Sequence, residues 1–388
     1  MKTRLLTTSL LVSLLSGLLY ANELKTIFVK TYGGVKKDKA YGAVALKDGS
    51  ALIVGSSKSF GKKREQMLIT KLSPKGKTLF RAVYGEKKKD EGRAIAKTSD
   101  GNFIAVGYSE SYSKDGDRDL YVVKIAPTGH KIWSKVFGGD RDDEAFDVVG
   151  TGNGGALIVG TTESFGHGNK DIFILFIDKN GKEIWSKFLG GEDDDVGYSV
   201  AITKGGFYVA GYTESFGSGG QDFFLLKYNA KGKLQFTKVF GGDDDDQFKS
   251  VVATKDGGCA VAGFTKSFDS KHSDIDIIRY SKNGKILWHK IYGFKSKEWA
   301  NSIITTKNGG FLVAGTTKSF GFGDYDFYML ELDSNGSSKW ANVYGGGDRD
   351  IAHKVIALKD GSYLVVGETE SFGSGDYDFM EVKLKREK

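Results

Sequence analysis

Short apolar runs separated by glycine turns recur along the whole chain. The segment from Val239 to Lys290 holds four of them: KSVVAT, CAVAGFTKSF, DIDIIRY and KILWHK. Asp256-Gly257 separates the first two runs, and Asn283-Gly284 separates the last two. Such turns between apolar runs predict antiparallel hairpins in which both turn residues take positive φ. Each segment of this kind is therefore predicted to be a four-stranded meander.

The meander is one copy of a repeat with a nearly constant period. A large apolar residue followed by glycine starts each copy, at spacings of 52, 53, 52, 51, 52 and 52 residues. These start residues are Tyr32, Tyr84, Phe137, Leu189, Phe240, Tyr292 and Tyr344. Four strands per copy in seven copies predict an all-β fold, a seven-bladed β-propeller of four-stranded antiparallel blades.

The two ends of the repeat region complement each other. The last copy ends in YDFMEVKLKREK and lacks a fourth strand, whereas ELKTIFVKTYGG near the start is a fourth strand without the other three. Phe28 falls where other copies carry Trp133, Trp185, Trp288 or Trp340. We expect the N-terminal strand to complete blade 7 and close the ring. A solenoid would need capping repeats, which the sequence does not show, so residues 22–388 are predicted to form one domain.

The first residues predict export. Lys2 and Arg4 precede the apolar run Leu5–Leu19, and the small residue Ala21 follows. This pattern is typical of a signal peptide, here residues 1–21, and predicts a periplasmic or extracellular protein. The chain carries a net charge of +7. Its single cysteine, Cys259, cannot form an intramolecular disulfide and is interpreted as a small buried hydrophobe.

The fourth-strand sequences resemble those of known propellers. The stretch IDKNGKEIWSKFLGG, residues 177–191, resembles the blades of quinoprotein-like (PQQ-type) propellers. The recurring DGG, SFG, D, G and W positions are similar to those of glycine-rich exported bacterial repeat proteins. The resemblance implies a propeller fold. It implies no quinone, because the cofactor-binding residues of quinoprotein enzymes have no match in this chain.

Glycine recurs inside every second strand, which usually marks a bulge or the close approach of another group. We expect the fourth-strand aromatic residues to pack over these glycines. The glycines are Gly55, Gly107, Gly160, Gly211, Gly263, Gly315 and Gly367. The aromatic residues are Phe28, Phe80, Trp133, Trp185, Phe236, Trp288 and Trp340.

Two acidic series also follow the period. The first lies six residues after each start residue and comprises Asp38, Asp90, Asp143, Asp195, Asp246, Glu298 and Asp350. The second opens each third strand and comprises Gln66, Asp119, Asp171, Asp222, Asp274, Asp326 and Asp378. Carboxylates at loop ends accept backbone N–H bonds. Both series are therefore predicted to be structural rather than metal-binding.

The third to fifth residues of the loop after each start residue break the symmetry. Blades 3 to 5 carry an acidic arc of Asp140, Asp142, Glu192, Asp193, Asp194, Asp243, Asp244 and Asp245. Blades 1 and 2 carry a basic arc of Lys36, Lys37, Lys87, Lys88 and Lys89, which continues into blade 6. A propeller places all these loops on one face, which would then be dipolar and could orient a charged partner. The alternative is that variable loops drift in charge.

These features favour an exported, monomeric, non-enzymatic binding or scaffold protein whose partner is a protein or an envelope polymer. Nucleic acid is not expected, since export and the lack of an arginine–aromatic cluster oppose it. One alternative is a calcium-dependent carbohydrate-binding propeller, although no EF-hand loop is present and no metal ligand is assigned. The other is a polysaccharide hydrolase or lyase. No catalytic residue is assigned. Trp299 and His353 are the most distinctive irregularities on the channel side.

Overall fold

The structure is a computed structural model that describes residues 23–61 and 64–386. In this part of the chain, 28 strands form seven antiparallel sheets of four strands each. The predicted all-β, seven-bladed propeller is confirmed. The predicted signal peptide lies outside the described residues. None of the described residues belongs to a helix long and apolar enough to cross a membrane.

The strands are numbered in chain order, and β1 (Leu24–Tyr32) precedes the first complete blade. Blade 1 contains β2 (Asp38–Ala45), β3 (Ala51–Ser57), β4 (Gln66–Leu72) and β5 (Thr78–Tyr84). Blade 2 contains β6 (Asp90–Lys97), β7 (Phe103–Ser109), β8 (Asp119–Ile125) and β9 (Lys131–Phe137). Blade 3 contains β10 (Asp143–Gly150), β11 (Ala156–Thr162), β12 (Asp171–Ile177) and β13 (Glu183–Leu189).

The remaining blades repeat this order. Blade 4 contains β14 (Asp195–Thr203), β15 (Gly206–Thr213), β16 (Asp222–Asn229) and β17 (Leu234–Phe240). Blade 5 contains β18 (Asp246–Ala253), β19 (Cys259–Thr265), β20 (Asp274–Tyr280) and β21 (Ile286–Tyr292). Blade 6 contains β22 (Glu298–Thr305), β23 (Phe311–Thr317), β24 (Asp326–Leu332) and β25 (Ser338–Tyr344). Blade 7 contains β26 (Asp350–Ala357), β27 (Tyr363–Thr369) and β28 (Asp378–Arg386), with β1 as its fourth strand.

The ring closes through both backbone and side chains. Strand β1 pairs antiparallel with β28, from Leu24 opposite Arg386 to Tyr32 opposite Phe379. Leu364 of blade 7 belongs to the same buried cluster as Ile53 of blade 1. Closure by the N-terminal strand is therefore what the sequence predicted.

The hydrophobic core lies between blades rather than within them. Seven buried clusters form, one at each junction of neighbouring blades. Second strands such as β7 and β11 are buried along their whole length, because blades cover both faces of each sheet. Fourth strands such as β9 lie at the rim and are largely exposed or half-buried. Cys259 is buried, as the sequence predicted.

The second-strand glycines face the first-strand bulge rather than a fourth-strand aromatic ring. In blade 1 the register shifts between Ala40 and Gly42, opposite Gly55, and a Cβ at Gly55 would collide with the carbonyl oxygen of Lys39. The expected bulge is present, but the expected aromatic partner is wrong. Five of the fourth-strand aromatic residues instead pack over the turn glycine of the next blade, where a Cβ would lie within 2.6–3.1 Å of the ring; these are Phe80, Trp133, Trp185, Phe236 and Trp288.

The hairpin turns also differ from the prediction. Only glycine takes positive φ in them: Gly257 has φ of 84°, whereas Asp256 does not have positive φ. The N–H of Gly257 donates to Thr254 O at 2.9 Å, and the N–H of Thr254 donates to Gly258 O at 2.9 Å. Three residues therefore lie between the closing pair. A three-residue hairpin needs one left-handed residue, while a two-residue loop would need two.

Candidate functional site

The loops that join the fourth strand of one blade to the first strand of the next lie on the same face as the 2–3 loops. We call this the loop face. The backbone N–H at the fourth loop position donates to a 2–3 loop serine in every blade, for example from Asp244 to Ser267 Oγ at 3.2 Å. The other six donors are at residues 36, 88, 141, 193, 296 and 348. Each blade thus holds its loop tip in the same way.

The first acidic series lies at the base of these loops. Asp246 is buried, its Oδ2 accepts the N–H of Gly242 at 2.8 Å, and its Oδ1 accepts the hydroxyl of Thr265. The equivalent backbone bond occurs in all seven blades, with the acceptors Asp38, Asp90, Asp143, Asp195, Asp246, Glu298 and Asp350. These carboxylates anchor the loop from below and do not face a partner.

The second acidic series brings a second carboxylate to most blade junctions. A Cβ at Gly345 would collide with Asp326 Oδ1 and approach Asp350 Oδ2 to 2.7 Å, so the two carboxylates converge on this glycine. Burial, followed by the charge of Asp350, raises the pKa of Asp326 to about 7. The junction of blades 1 and 2 has Gln66 in place of the second acid.

The third and fourth loop positions carry the exposed charges. In the acidic arc the carboxylates are Asp140, Glu192, Asp193, Asp243 and Asp244, and the exposed Arg141 at the fourth position of blade 3 offsets Asp140. In the basic arc they are Lys36, Lys87 and Lys88. The structure therefore places eight of the predicted residues at exposed loop tips.

The fifth loop position is half-buried and has local partners. Asp142 lies 3.9 Å from Arg118 Nε, Asp194 lies 3.4 Å from Lys170 Nζ, and Asp245 pairs with Lys266. In the basic arc, Lys89 Nζ lies 3.6 Å from Glu65 and 3.5 Å from Glu91, and Lys37 Nζ lies 5.4 Å from the ring centre of Tyr377. Paired charges contribute little to the field above the face. The dipole is therefore carried mainly by the loop tips.

Carboxylates of the acidic arc do not gather into a metal cluster. Across residues 23–61 and 64–386, no three His, Cys, Asp or Glu side chains come close enough together to hold a metal ion. The exposed carboxylates belong to the loop tips of three different blades. The carboxylates at the fifth loop position each lie beside a cation of another loop. Calcium binding stays a prediction.

A ring of seven side chains faces the central channel and was largely missed by sequence reasoning. Each is the extra residue of the first-strand bulge. The members of this bulge ring are Tyr41, Arg93, Phe146, Tyr198, Lys249, Asn301 and His353. Only His353 was singled out from the sequence. The usable signal was a repeat position filled by a different residue in most blades.

Neighbouring members of the bulge ring contact one another. The guanidinium of Arg93 lies 4.6 Å from the ring centre of Tyr41, and the rings of Tyr41 and His353 are 4.9 Å apart. The rings of Phe146 and Tyr198 are 5.2 Å apart, and Lys249 Nζ lies 3.6 Å from the centre of Tyr198. The ring thus narrows the channel with aromatic faces and cations. Trp299 lies nearby, with its ring 5.1 Å from that of Tyr325.

Blade 5 also holds a pair of a half-buried histidine and a buried aspartate that the sequence did not reveal. His289 Nε2 lies 2.8 Å from Asp276 Oδ2, and Asp276 is fully buried. Burial raises the pKa of Asp276 to about 6. Burial lowers the pKa of His289, but the hydrogen bond and charge of Asp276 outweigh it and raise that pKa. Phe240 and Phe268 pack against the imidazole, and no nucleophile is seen at the pair among the described contacts.

Comparisons with known proteins support the fold and little more. No family model matches the chain. A segment of 227 residues is 26% identical to the regulatory protein FlaEY of Caulobacter vibrioides, over 49% of this chain but only 24% of that protein. The chain thus spans about a quarter of the length of the curated relative it matches.

Solved propeller structures superpose over most of the chain. The structure of Sqt1 from Chaetomium thermophilum gives a TM-score of 0.51 at 14% identity, covering 89% of this chain and 83% of that one. The structure of BBS1N in complex with ARL6DN gives 0.53 at 13% identity, covering 93% and 96%. Identities this low show similarity of fold alone.

Proposed function

We propose that this protein is an exported, monomeric, non-enzymatic propeller that binds a protein or a charged envelope polymer through its loop face. The observation that supports this is the contrast between the two arcs. The loops are held by the same serine and carboxylate bonds in every blade, yet the exposed tips are acidic in blades 4 and 5, mixed in blade 3 and basic in blades 1 and 2.

A dipolar face of this kind acts mainly on encounter with a partner. Exposed charges are screened beyond about 8 Å at physiological salt, so they contribute modest affinity. They orient a partner of complementary charge and raise its association rate. The similarity to a regulatory protein is compatible with a binding role.

The test is crosslinked capture from the cell envelope at low and high salt. We expect Asp243→Lys with Asp244→Lys to reduce capture of the partner at least tenfold at low salt. The matched variant adds Lys87→Asp and Lys88→Asp, which restores the net charge but reverses the sign of the loop tips of blades 2 and 5. It should also lose capture.

The two variants separate net charge from its distribution. Restored capture by the fourfold variant would mean that net charge alone drives binding. Unchanged capture by the double variant would contradict the proposal for this face. Equal melting temperatures would show that the loops still fold.

A further inference from the structure

The central channel holds a cavity below the bulge ring. Its volume is about 380 Å³, within the range of about 300–1,000 Å³ typical of small-molecule sites. It extends along the first strands to Lys97 and Gly150, the last residues of β6 and β10. Lys97 is exposed, so this end of the cavity lies at the surface. The cavity is separate from the loop tips on which the proposed function rests.

Acidic groups around the cavity already have partners. Glu91 lies 2.8 Å from the guanidinium of Arg93, and Glu368 lies 2.9 Å from Lys39 Nζ. Asp147 accepts a hydroxyl at 2.9 Å and a backbone N–H at 3.1 Å, both from blade 4. None of these contacts involves a residue of blade 5.

Lys249 lines the same cavity and has no carboxylate beside it. Its Nζ lies over the ring of Tyr198 at 3.6 Å and 6.0 Å from the ring centre of Phe264. Burial lowers the pKa of Lys249 to about 7, and no neighbouring carboxylate raises it again. A buried ammonium without a counter-charge is unfavourable. An anion placed beside it would supply the missing partner.

The remaining lining favours a hydroxylated ligand with a ring. Tyr198 and Phe146 offer aromatic faces side by side. Asn301 donates its amide N–H to Ala352 O at 2.8 Å, which leaves its amide oxygen as an acceptor. Tyr41 adds a phenol to the same lining. Aromatic faces with a few convergent polar groups are typical of small-ligand sites.

We propose that this cavity binds a small acidic sugar, with the anionic group at Lys249 and the sugar ring against Tyr198 and Phe146. The carboxylate of a uronic acid and the phosphate of a sugar phosphate present the same chemistry to the ammonium. The bulge at each first strand is what turns these side chains into the channel.

Binding should be linked to pH. The charged form of Lys249 dominates below about pH 7, so affinity should be highest there and fall roughly tenfold for each pH unit above it. The other ionisable groups that line the cavity are Tyr41, Arg93, Lys97, Asp147, Tyr198, His353 and Lys354.

The experiment is calorimetric titration of the full mature protein with glucuronate, glucose 6-phosphate and neutral glucose at pH 6.5 and 8.5. We expect at least one acidic sugar to bind and glucose to bind at least tenfold more weakly. Lys249→Met should weaken the acidic sugar at least tenfold. The control Lys282→Met, in an exposed outer turn, should leave it unchanged.

Folding of the variants is followed by thermal melting. Lys249→Met should melt at the wild-type temperature or above, because it removes a charge that lacks a partner. The proposal is overturned if neither acidic sugar binds at millimolar concentration, if glucose binds equally well, or if Lys249→Met binds like the wild type. Equal loss in both lysine variants would assign the effect to net charge and also overturn it.

Discussion

Blade 2 and blade 5 have the same architecture and opposite chemistry. Both anchor the loop with a buried aspartate, Asp90 accepting the N–H of Glu86 at 3.0 Å and Asp246 that of Gly242 at 2.8 Å. The loop tip of blade 2 is basic, whereas that of blade 5 is acidic. At the bulge, Arg93 of blade 2 has a carboxylate partner, and its counterpart in blade 5 has none.

Blades 2 and 5 separate the positions that build a blade from those that can serve a function. Positions that are the same in both blades serve the blade, because each makes the same bond in each copy. The blades also differ at the loop tip and at the bulge residue, and neither difference alters the backbone bonds. We expect specific recognition to use positions of this kind.

The largest effect should come from the shared anchor. Asp90→Ala and Asp246→Ala each leave a backbone N–H and a hydroxyl without their acceptor. Each should lower the free energy of unfolding by about 3 kcal/mol. Denaturant titration measures this, with Asp243→Ala and Lys87→Ala as exposed controls. A much larger loss of unfolding free energy in one blade than in the other would contradict an equal structural role for the two aspartates.

The next effect separates the two bulge residues. Arg93→Met leaves Glu91 with only the more distant Lys89 as a cation, and should cost about 2 kcal/mol of unfolding free energy. Lys249→Met removes a half-buried charge that has no carboxylate partner and should cost nothing or stabilise by about 1 kcal/mol. Similar losses in both variants would show that the two cations play the same structural role.

The paired carboxylates predict a pH effect that the Gln66 junction lacks. The pKa of Asp326 is about 7 in the fold against 3.8 ordinarily, so its contribution to stability is present below about pH 4 and is lost as the pH rises through 7. Asp326→Asn should therefore raise the unfolding free energy at pH 8 by about 2 kcal/mol and change it little at pH 4. Melting curves at both pH values test this, and a gain of equal size at both would refute the pairing.

The smallest effect on stability should come from the loop tips. Asp243→Lys with Asp244→Lys, and Lys87→Asp with Lys88→Asp, should each change the unfolding free energy by less than about 0.5 kcal/mol. Thermal melting at physiological salt measures it. A loss above about 1 kcal/mol would mean that these charges serve the blade rather than a partner.

Much of this fold could be predicted because its signals are local and repeated seven times. The period, the turn glycines and the complementary ends predicted the blade count and the closing strand. The bulge could be expected from Gly55 and its equivalents. The group that each glycine faces could not be predicted, because it depends on the strand register across the sheet.

The candidate site was less predictable for the same reason. The loop charges are read directly from the sequence, but their partners, such as Arg118 for Asp142 and Lys266 for Asp245, come from other loops. The Asp276–His289 pair joins two strands at positions that look unremarkable in the sequence. Such pairs become visible only when the strands are aligned side by side.

By itself, the sequence determined the number of blades, the closing strand and the loops that carry opposite charge, since each follows from hydrophobic period and turn residues. The tertiary structure decided which of those charges are compensated and which residues face the channel. Burial and ion pairing depend on neighbours from different strands and blades. For this reason the sequence alone did not single out Lys249. Its position in the channel without a carboxylate partner follows only from the folded ring.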